Sequence, residues 1–243
     1  MGERRALSGQ EGGYMRVLAV ADKESAYYYD YYTPGKLSEF DLILACGDLR
    51  REYLEFLATL ARCPVVYVRG NHNDSFLDSP PEGCICAEDR IVVCGGVRIL
   101  GLGGSHRYQN GRNMYTEGQM SRRIRKMQFQ LWKNKGFDIL LTHAPARHIN
   151  DFDNLSHQGF QCFVGLLDRY QPKYFVHGHI HRNYGVNIPQ WTVRGRPTSS
   201  TPTTTANLTT DEITCKKHPG IRWTAEAGMF IFSLGAQPFT PAG

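Results

Sequence analysis

Five short apolar runs, each followed within two residues by a polar residue, constrain the fold of this 243-residue chain more than any other feature. The runs cover residues 15–21, 42–46, 65–68, 139–141 and 174–176, and they are rich in Val, Ile, Leu and aromatic residues. Runs of this length and composition are typical of buried strands. Strands that are buried on both faces read as continuous apolar stretches, so the pattern predicts a largely parallel sheet covered by helices.

The polar residues at the ends of these runs can all ligate a metal or assist hydrolysis. In chain order they are Asp22, Asp48, Asn71, His72, His143, His179 and His181. Ligands of open α/β sheets bind at the carboxyl ends of the strands. We therefore expect the five polar sets to meet along one edge.

The segments between the runs supply the remaining layers. Residues 51–62, 117–135 and 160–170 have apolar residues at helical spacing, and residues 91–94 and 97–100, joined by Gly95-Gly96, predict a β-hairpin. These elements predict an α/β layered domain with added antiparallel strands.

Composition bounds the class of protein. With 41% hydrophobic residues the chain can bury one sizeable core, and no apolar run approaches the 18 residues of a membrane span. An odd number of cysteines, seven, and the absence of a signal-peptide pattern favour a cytoplasmic location. The net charge of +5 is mild. We interpret the basic cluster at residues 122–126 as a solvated helix face, and expect no membrane partner and no nucleic acid except as a substrate.

The polar set has the composition of a metal site. Two histidines at i and i+2, together with carboxylates after two other strands, form a mixed nitrogen and oxygen donor set that suits Zn, Mn or Fe. A single histidine or aspartate at a strand end is more often a cap or a packed core residue. The number of such residues in this chain favours the metal site.

The form and order of the motifs resemble a known family. Gly47-Asp48, Gly70-Asn71-His72, Thr142-His143 and Gly178-His179-Ile180-His181 are similar, over about residues 14–185, to the calcineurin-like metallophosphoesterases. The resemblance implies a four-layer α/β/β/α sandwich of two mixed sheets flanked by helices. It also implies metal-dependent hydrolysis of a phosphodiester or phosphomonoester by a metal-bridging hydroxide, with no covalent enzyme intermediate.

Carried over by position, the resemblance implies two divalent ions, of which Mn is favoured over Zn, Fe or Mg. Asp48 would bridge both ions, Asp22 and His181 would hold the first, and Asn71, His143 and His179 would hold the second. His72 would act on the scissile phosphate without binding metal. His177 lies outside the family pattern and is interpreted as a packed histidine.

The chain departs from the family at its first motif, where Asp22-Lys23-Glu24 replaces Asp-x-His. Three interpretations are open: Glu24 is a substitute ligand, the first site is weak or empty, or Glu24 faces solvent. A smaller departure is Asn73, which separates His72 from an acidic residue, Asp74.

Three further polar residues, His106, Arg147 and His148, follow predicted strands and are candidates for contact with substrate. The predicted catalytic domain covers residues 14–189. We expect residues 190–243 to form a Ser/Thr-rich, partly disordered C-terminal segment, with a linker or disordered stretch at 197–210 and a closing strand at 225–234. The alternative to an enzyme is a non-catalytic interaction scaffold with the same fold and a degenerate first metal site.

Overall fold

A computed structural model describes residues 14–180 and, as backbone strands only, residues 191–192, 224–226 and 229–235. The strands, in chain order, are β1 (Tyr14–Val20), β2 (Leu42–Ala45), β3 (Val65–Tyr67), β4 (Ile85–Cys86), β5 (Arg90–Cys94), β6 (Val97–Leu102), β7 (Ser105–His106), β8 (Met114–Tyr115), β9 (Ile139–Thr142), β10 (Tyr174–Val176), β11 (Trp191–Thr192), β12 (Thr224–Glu226) and β13 (Met229–Gly235). The helices are α1 (Arg51–Leu60), α2 (Glu117–Lys126), α3 (Gln128–Lys133) and α4 (Gln161–Tyr170), with a short 3-10 helix at Asp74–Leu77.

The strands form two mixed sheets and a small parallel pair, β7 and β8. The first sheet has the order β12-β13-β1-β2-β3-β4, with β1 to β4 parallel and β13 antiparallel to β1. The second has the order β11-β10-β9-β6-β5, with β10, β9 and β6 parallel and antiparallel strands at both edges. Gly95 and Gly96, both at positive φ, form the turn of the predicted hairpin.

Three apolar clusters arrange these elements in four layers. One cluster lies between the sheets and includes Val17, Leu44 and Ile139. A second packs α1 against the outer face of the first sheet, and a third packs α2, α3 and α4 against the outer face of the second. The expected α/β/β/α sandwich is confirmed.

The five predicted strands are present, but they divide between two sheets. The strands β1, β2 and β3 belong to the first sheet, whereas β9 and β10 belong to the second. Because the sheets pack face to face, the carboxyl ends of both sets reach the same edge of the sandwich. That edge carries the polar residues.

The predicted helix at 117–135 is interrupted at Met127. The Met127 N–H donates to the carbonyl of Ile124, three residues back, so one tight turn separates α2 from α3. The turn keeps Ile124, Met127 and Leu131 all facing the core. A continuous periodic pattern did not reveal this break, because the apolar spacing is preserved across it.

The C-terminal strand completes the first sheet. β13 pairs with β1 from Tyr14↔Gly235 to Val20↔Met229, so this sheet includes a strand beyond the predicted boundary at residue 189. The predicted closing strand at 225–234 is a hairpin of β12 and β13. The predicted linker at 197–210 and His181 lie outside the described residues. None of the helices in the described ranges is long and apolar enough to cross a membrane.

Candidate metal centre

Three of the predicted ligands leave their strands through unusual backbone conformations. Asp22, Asp48 and His179 have φ values of 61°, 55° and 71°, in the left-handed region that residues other than glycine rarely occupy. Such conformations cost on the order of 1–3 kcal/mol each and tend to occur at functional sites. Here they turn the chain sharply at the sheet edge.

Two glycines allow the loops after β2 and β3 to touch. A Cβ atom on Gly70 would overlap Oδ1 of Asp48, and a Cβ atom on Gly47 would overlap the backbone of Gly70 and approach the ring of His143. Gly47 also has a φ of 96°. The close approach of Asp48 to the neighbouring loop therefore depends on the absence of side chains at both positions.

Four predicted ligands converge at this point. Candidate ligand atoms of Asp48, His143 and His179 all lie within 4.8 Å of one another. Nε2 of His143 lies 2.9 Å from Oδ1 of Asn71 and 3.2 Å from Oδ2 of Asp48. The rings of His143 and His179 meet edge to face, with centroids 4.7 Å apart. These residues come from both sheets.

The hydrogen bonds around the two histidines suit metal binding. Nδ1 of His143 lies 2.8 Å from the Cys46 carbonyl, to which it can donate, leaving Nε2 as the donor atom toward a metal. Nε2 of His179 lies 2.5 Å from the Ser156 carbonyl, which in the same way leaves Nδ1. A backbone carbonyl that holds one ring nitrogen is the usual support of a metal-binding histidine.

Charge in the cluster is unevenly distributed. Burial alone would lower the pKa of His143, but the Asp48 carboxylate raises it to about 9. Burial would raise the pKa of Asp48, and His143 instead holds it down at about 2. Burial lowers the pKa of His179 to about 3, with a further contribution from His143. A cation that binds here would displace the proton of His143, because the ligand nitrogen must be deprotonated.

Asp22 holds the loop that carries the last motif. Its two carboxylate oxygens accept from the backbone N–H of His179 at 3.1 and 2.8 Å, while its own N–H donates to the Gly47 carbonyl at 3.1 Å. Asp22 thus joins the loops after β1, β2 and β10. Its predicted partner in the first metal site, His181, lies outside the described residues.

Glu24 pairs with Arg50. Its Oε1 accepts from Nε of Arg50 at 2.8 Å, and this bond lowers the pKa of Glu24 although partial burial would raise it. The side chain is about one-quarter exposed, so it does not extend freely into solvent, and its observed partner is Arg50. Its assignment as a substitute ligand stays a prediction.

His72 lies at the open side of the cluster. Its backbone N–H donates to Oδ1 of Asp48 at 2.8 Å, and its ring Nε2 is 4.0 Å from Oδ2 of the same carboxylate. The side chain is 67% exposed, in contrast to the buried His143. An imidazole placed beside the cluster and open to solvent is accessible to a substrate.

Asn73, which appeared in the sequence only as an intervening residue, connects the loops after β2 and β3. Its Oδ1 accepts from the N–H groups of Asp48 at 2.7 Å and Gly70 at 2.9 Å, and its Nδ2 donates to the Leu49 carbonyl at 3.1 Å. The side chain is buried. The carboxylate of Asp74 accepts from the Arg112 N–H and from the N–H and side-chain amide of Asn113, so it fixes the segment before β8.

Tyr108 is a second residue of the site that the sequence did not predict. The hydroxyl of Tyr108 accepts from Nδ2 of Asn71 at 3.1 Å, which orients the other end of that amide, Oδ1, toward His143. Burial and then Asp48 raise the pKa of Tyr108. A tyrosine in a loop 37 residues further along carries no sequence signal for this contact.

The three predicted substrate contacts differ in their surroundings. The ring of His106 stacks on Phe160 with centroids 4.1 Å apart, and burial lowers its pKa. Arg147 donates to Asp151 at 2.8 Å and to Asp153 at 3.0 Å. His148 is exposed. Because both terminal guanidinium nitrogens of Arg147 already face carboxylates, a phosphate would have to compete for them. The assignments of His106, Arg147 and His148 as substrate contacts stay predictions.

His177 is fully buried, and burial lowers its pKa to about 4. Its ring nitrogens lie near the Gly178 carbonyl and the Asn150 amide, at 3.1 and 3.3 Å. These contacts agree with a packed, neutral histidine.

Comparison with known proteins agrees with this geometry. A family model described as calcineurin-like phosphoesterase matches residues 15–183. Metallophosphoesterase domain-containing protein 1 of Homo sapiens is 24% identical over 217 residues, covering 72% of this chain and 63% of that protein, and the Mus musculus protein matches equally. A UPF0046 protein of Caenorhabditis elegans is 29% identical over 116 residues, 46% of this chain and 27% of its own length. The chain thus spans less than two-thirds of these relatives. With most of its length matched by the family model, the chain belongs to the calcineurin-like phosphoesterase family.

Proposed function

We propose that this protein is a metal-dependent hydrolase that cleaves a phosphodiester or phosphomonoester at a site for two divalent ions, preferentially Mn. The observation that carries the proposal is the convergence of Asp48, Asn71, His143 and His179 on one point, beside the exposed ring of His72. Such ions supply positive charge to the phosphate oxygens and lower the pKa of water.

The protein's own residues would divide the remaining work. Asn71, His143 and His179 would hold one ion, and Asp48 would be shared with a second ion held by Asp22, Glu24 and His181. His72 would donate a proton to the leaving oxygen or stabilise charge on the phosphate. Its exposure supports this assignment, since a substrate bound at the cluster can reach the ring.

We further propose that the protein is cytoplasmic. Six cysteines in the described part of the chain are free thiols, including the close pair Cys84 and Cys86. Free cysteines of this number are typical of a reducing compartment.

The first experiment measures hydrolysis of bis-p-nitrophenyl phosphate and p-nitrophenyl phosphate with Mn, Zn or Mg. We expect turnover with wild type, and a loss of about 10²- to 10⁴-fold in kcat for His72→Asn with metal content unchanged. Asp78→Asn, at an exposed ion pair with Arg112, is the control and should keep full activity. No turnover with any of the three metals would favour the alternative, a non-catalytic interaction scaffold.

A second experiment addresses Glu24 through metal stoichiometry. Wild type should bind two Mn ions per chain, and Glu24→Ala should lose affinity for one of them. Glu55→Ala is a matched control, because Glu55 accepts from Nε of Arg51 at 2.7 Å in the same type of ion pair as Glu24. Equal stoichiometry and affinity in all three proteins would exclude Glu24 as a ligand.

A further inference from the structure

Helices α2 and α3 expose a face on which two aromatic rings are surrounded by cations. Its members are Arg122, Arg125, Lys126, Phe129, Trp132 and Lys133, and we call it the basic aromatic face. Phe129 is 68% exposed and Trp132 is 75% exposed, and their ring centroids are 5.9 Å apart. Single exposed apolar residues are common, but two adjacent aromatic rings of this exposure are not.

The basic aromatic face continues from α2 to α3 because its residues recur at helical spacing. Its residues alternate with the core-facing set Met120, Ile124, Met127 and Leu131, and the turn at Met127 preserves this alternation from one helix to the next. Gln130 fixes α3 to the edge strand β5, since it accepts from the Ile91 N–H at 3.1 Å and donates to the Asp89 carbonyl at 3.4 Å. The two rings are therefore presented by anchored helices.

The charge of the face is of one sign. Within the described part of the chain, its four cations form no ion pair with a carboxylate. Arg123, in the same helix, differs: it points inward and pairs with Glu88 and Asp89. The one carboxylate of α2 and α3, Glu117, accepts from the first N–H groups of α4. The uncompensated cations complement a negatively charged partner.

We propose that the basic aromatic face binds the surface of an anionic phospholipid bilayer, with Phe129 and Trp132 at headgroup depth and the four cations against acidic headgroups. A helical face that combines aromatic residues with Lys and Arg is the pattern of interfacial membrane binding. This contact is peripheral and revises the expectation of no membrane partner. It does not depend on the metal centre.

The geometry favours a bilayer over single-stranded nucleic acid. Proteins that bind bases on aromatic rings place those rings in a positively charged groove. Here both rings stand exposed on the outer side of a helix layer, tilted 35° to one another. A flat, deformable surface fits that shape better than a strand that must track a groove.

The test is co-sedimentation of the full chain with vesicles of phosphatidylcholine alone and of phosphatidylcholine with 30% phosphatidylserine. We expect binding only to the anionic vesicles, weakened at high salt. Arg125→Gln should lower the partition coefficient about fivefold, and Phe129→Ser with Trp132→Ser about tenfold. All of these positions are exposed, so thermal unfolding should be little changed.

Matched control variants distinguish binding by the basic aromatic face from nonspecific binding through net charge or any exposed aromatic ring. Arg62→Gln removes one exposed cation elsewhere, and Tyr31→Ser removes an aromatic ring that is 71% exposed in the loop between β1 and β2. Both should bind like wild type. Equal loss in Arg62→Gln and Arg125→Gln, or full vesicle binding by the Phe129→Ser/Trp132→Ser variant, would overturn the proposal. Binding to poly(U) or polyglutamate without binding to anionic vesicles would overturn it too.

Discussion

The side chain of Asn73 offers the sharpest test of how the metal centre is assembled. Asn73→Ala removes three hydrogen bonds, two of which satisfy the N–H groups of Asp48 and Gly70. A buried donor that loses its partner costs about 1–3 kcal/mol, and the remaining lost bond about 1 kcal/mol. Partial access of water to Asp48 reduces the total, so we expect a loss of about 3 kcal/mol in the free energy of unfolding.

The conservative variant Asn73→Asp is the internal control. Its carboxylate still accepts from both N–H groups, but it cannot donate to the Leu49 carbonyl and places a second acceptor oxygen and a negative charge there. The lost bond and the unfavourable contact together lead us to expect about 2 kcal/mol of destabilisation in this variant, measured in the apoprotein. The ratio of the two losses shows how much of the stability comes from hydrogen bonds to the N–H groups of Asp48 and Gly70, and how much from the packing of the side chain.

Urea unfolding followed by circular dichroism is the assay. With a slope of about 3 kcal/mol per molar urea for a chain of this size, Asn73→Ala should lower the midpoint by about 1 M. The midpoint of Asn73→Asp should fall by about two-thirds as much. Equal midpoints for the two variants, or a shift below about 0.3 M for the alanine variant, would refute the view that Asn73 holds the two loops together.

Two further predictions concern metal affinity and acid stability. Tyr108→Phe should weaken Mn binding by about tenfold in a calorimetric titration, because the Asn71 amide loses the contact that orients it; unchanged affinity would remove Tyr108 from the site. Asp138 accepts from Arg98 at 2.9 Å, and although burial would raise its pKa, these bonds lower it. Since the folded pKa is depressed, the stability from this pair is present above the usual Asp pKa of about 3.9 and is lost below it. The difference in Tm between wild type and Asp138→Asn should therefore hold constant above about pH 5 and shrink below pH 4, and a pH-independent difference would contradict this.

The sequence by itself determined the strands, the α/β layers and which polar residues stand at the strand ends. Short apolar runs without alternation are typical of strands covered on both sides, and all five predicted strands are present. Because such strands end at the sheet edge, the sequence predicts that Asp48, Asn71, His143 and His179 lie together, as they do in the structure. Strand burial and strand ends are properties of short, local stretches of chain, so a local pattern reveals them.

Only the tertiary structure decided which loops meet and what each polar group contacts. Glu24 meets Arg50, Asn73 meets the loop after β2, and Tyr108 meets Asn71, across 26, 25 and 37 residues. The break at Met127 and the pairing of β13 with β1 are equally hidden from local patterns. Contacts of this kind depend on how two sheets pack and on where glycines let loops touch. Sequence spacing shows that a side chain can reach the edge, whereas packing decides which partner it finds there.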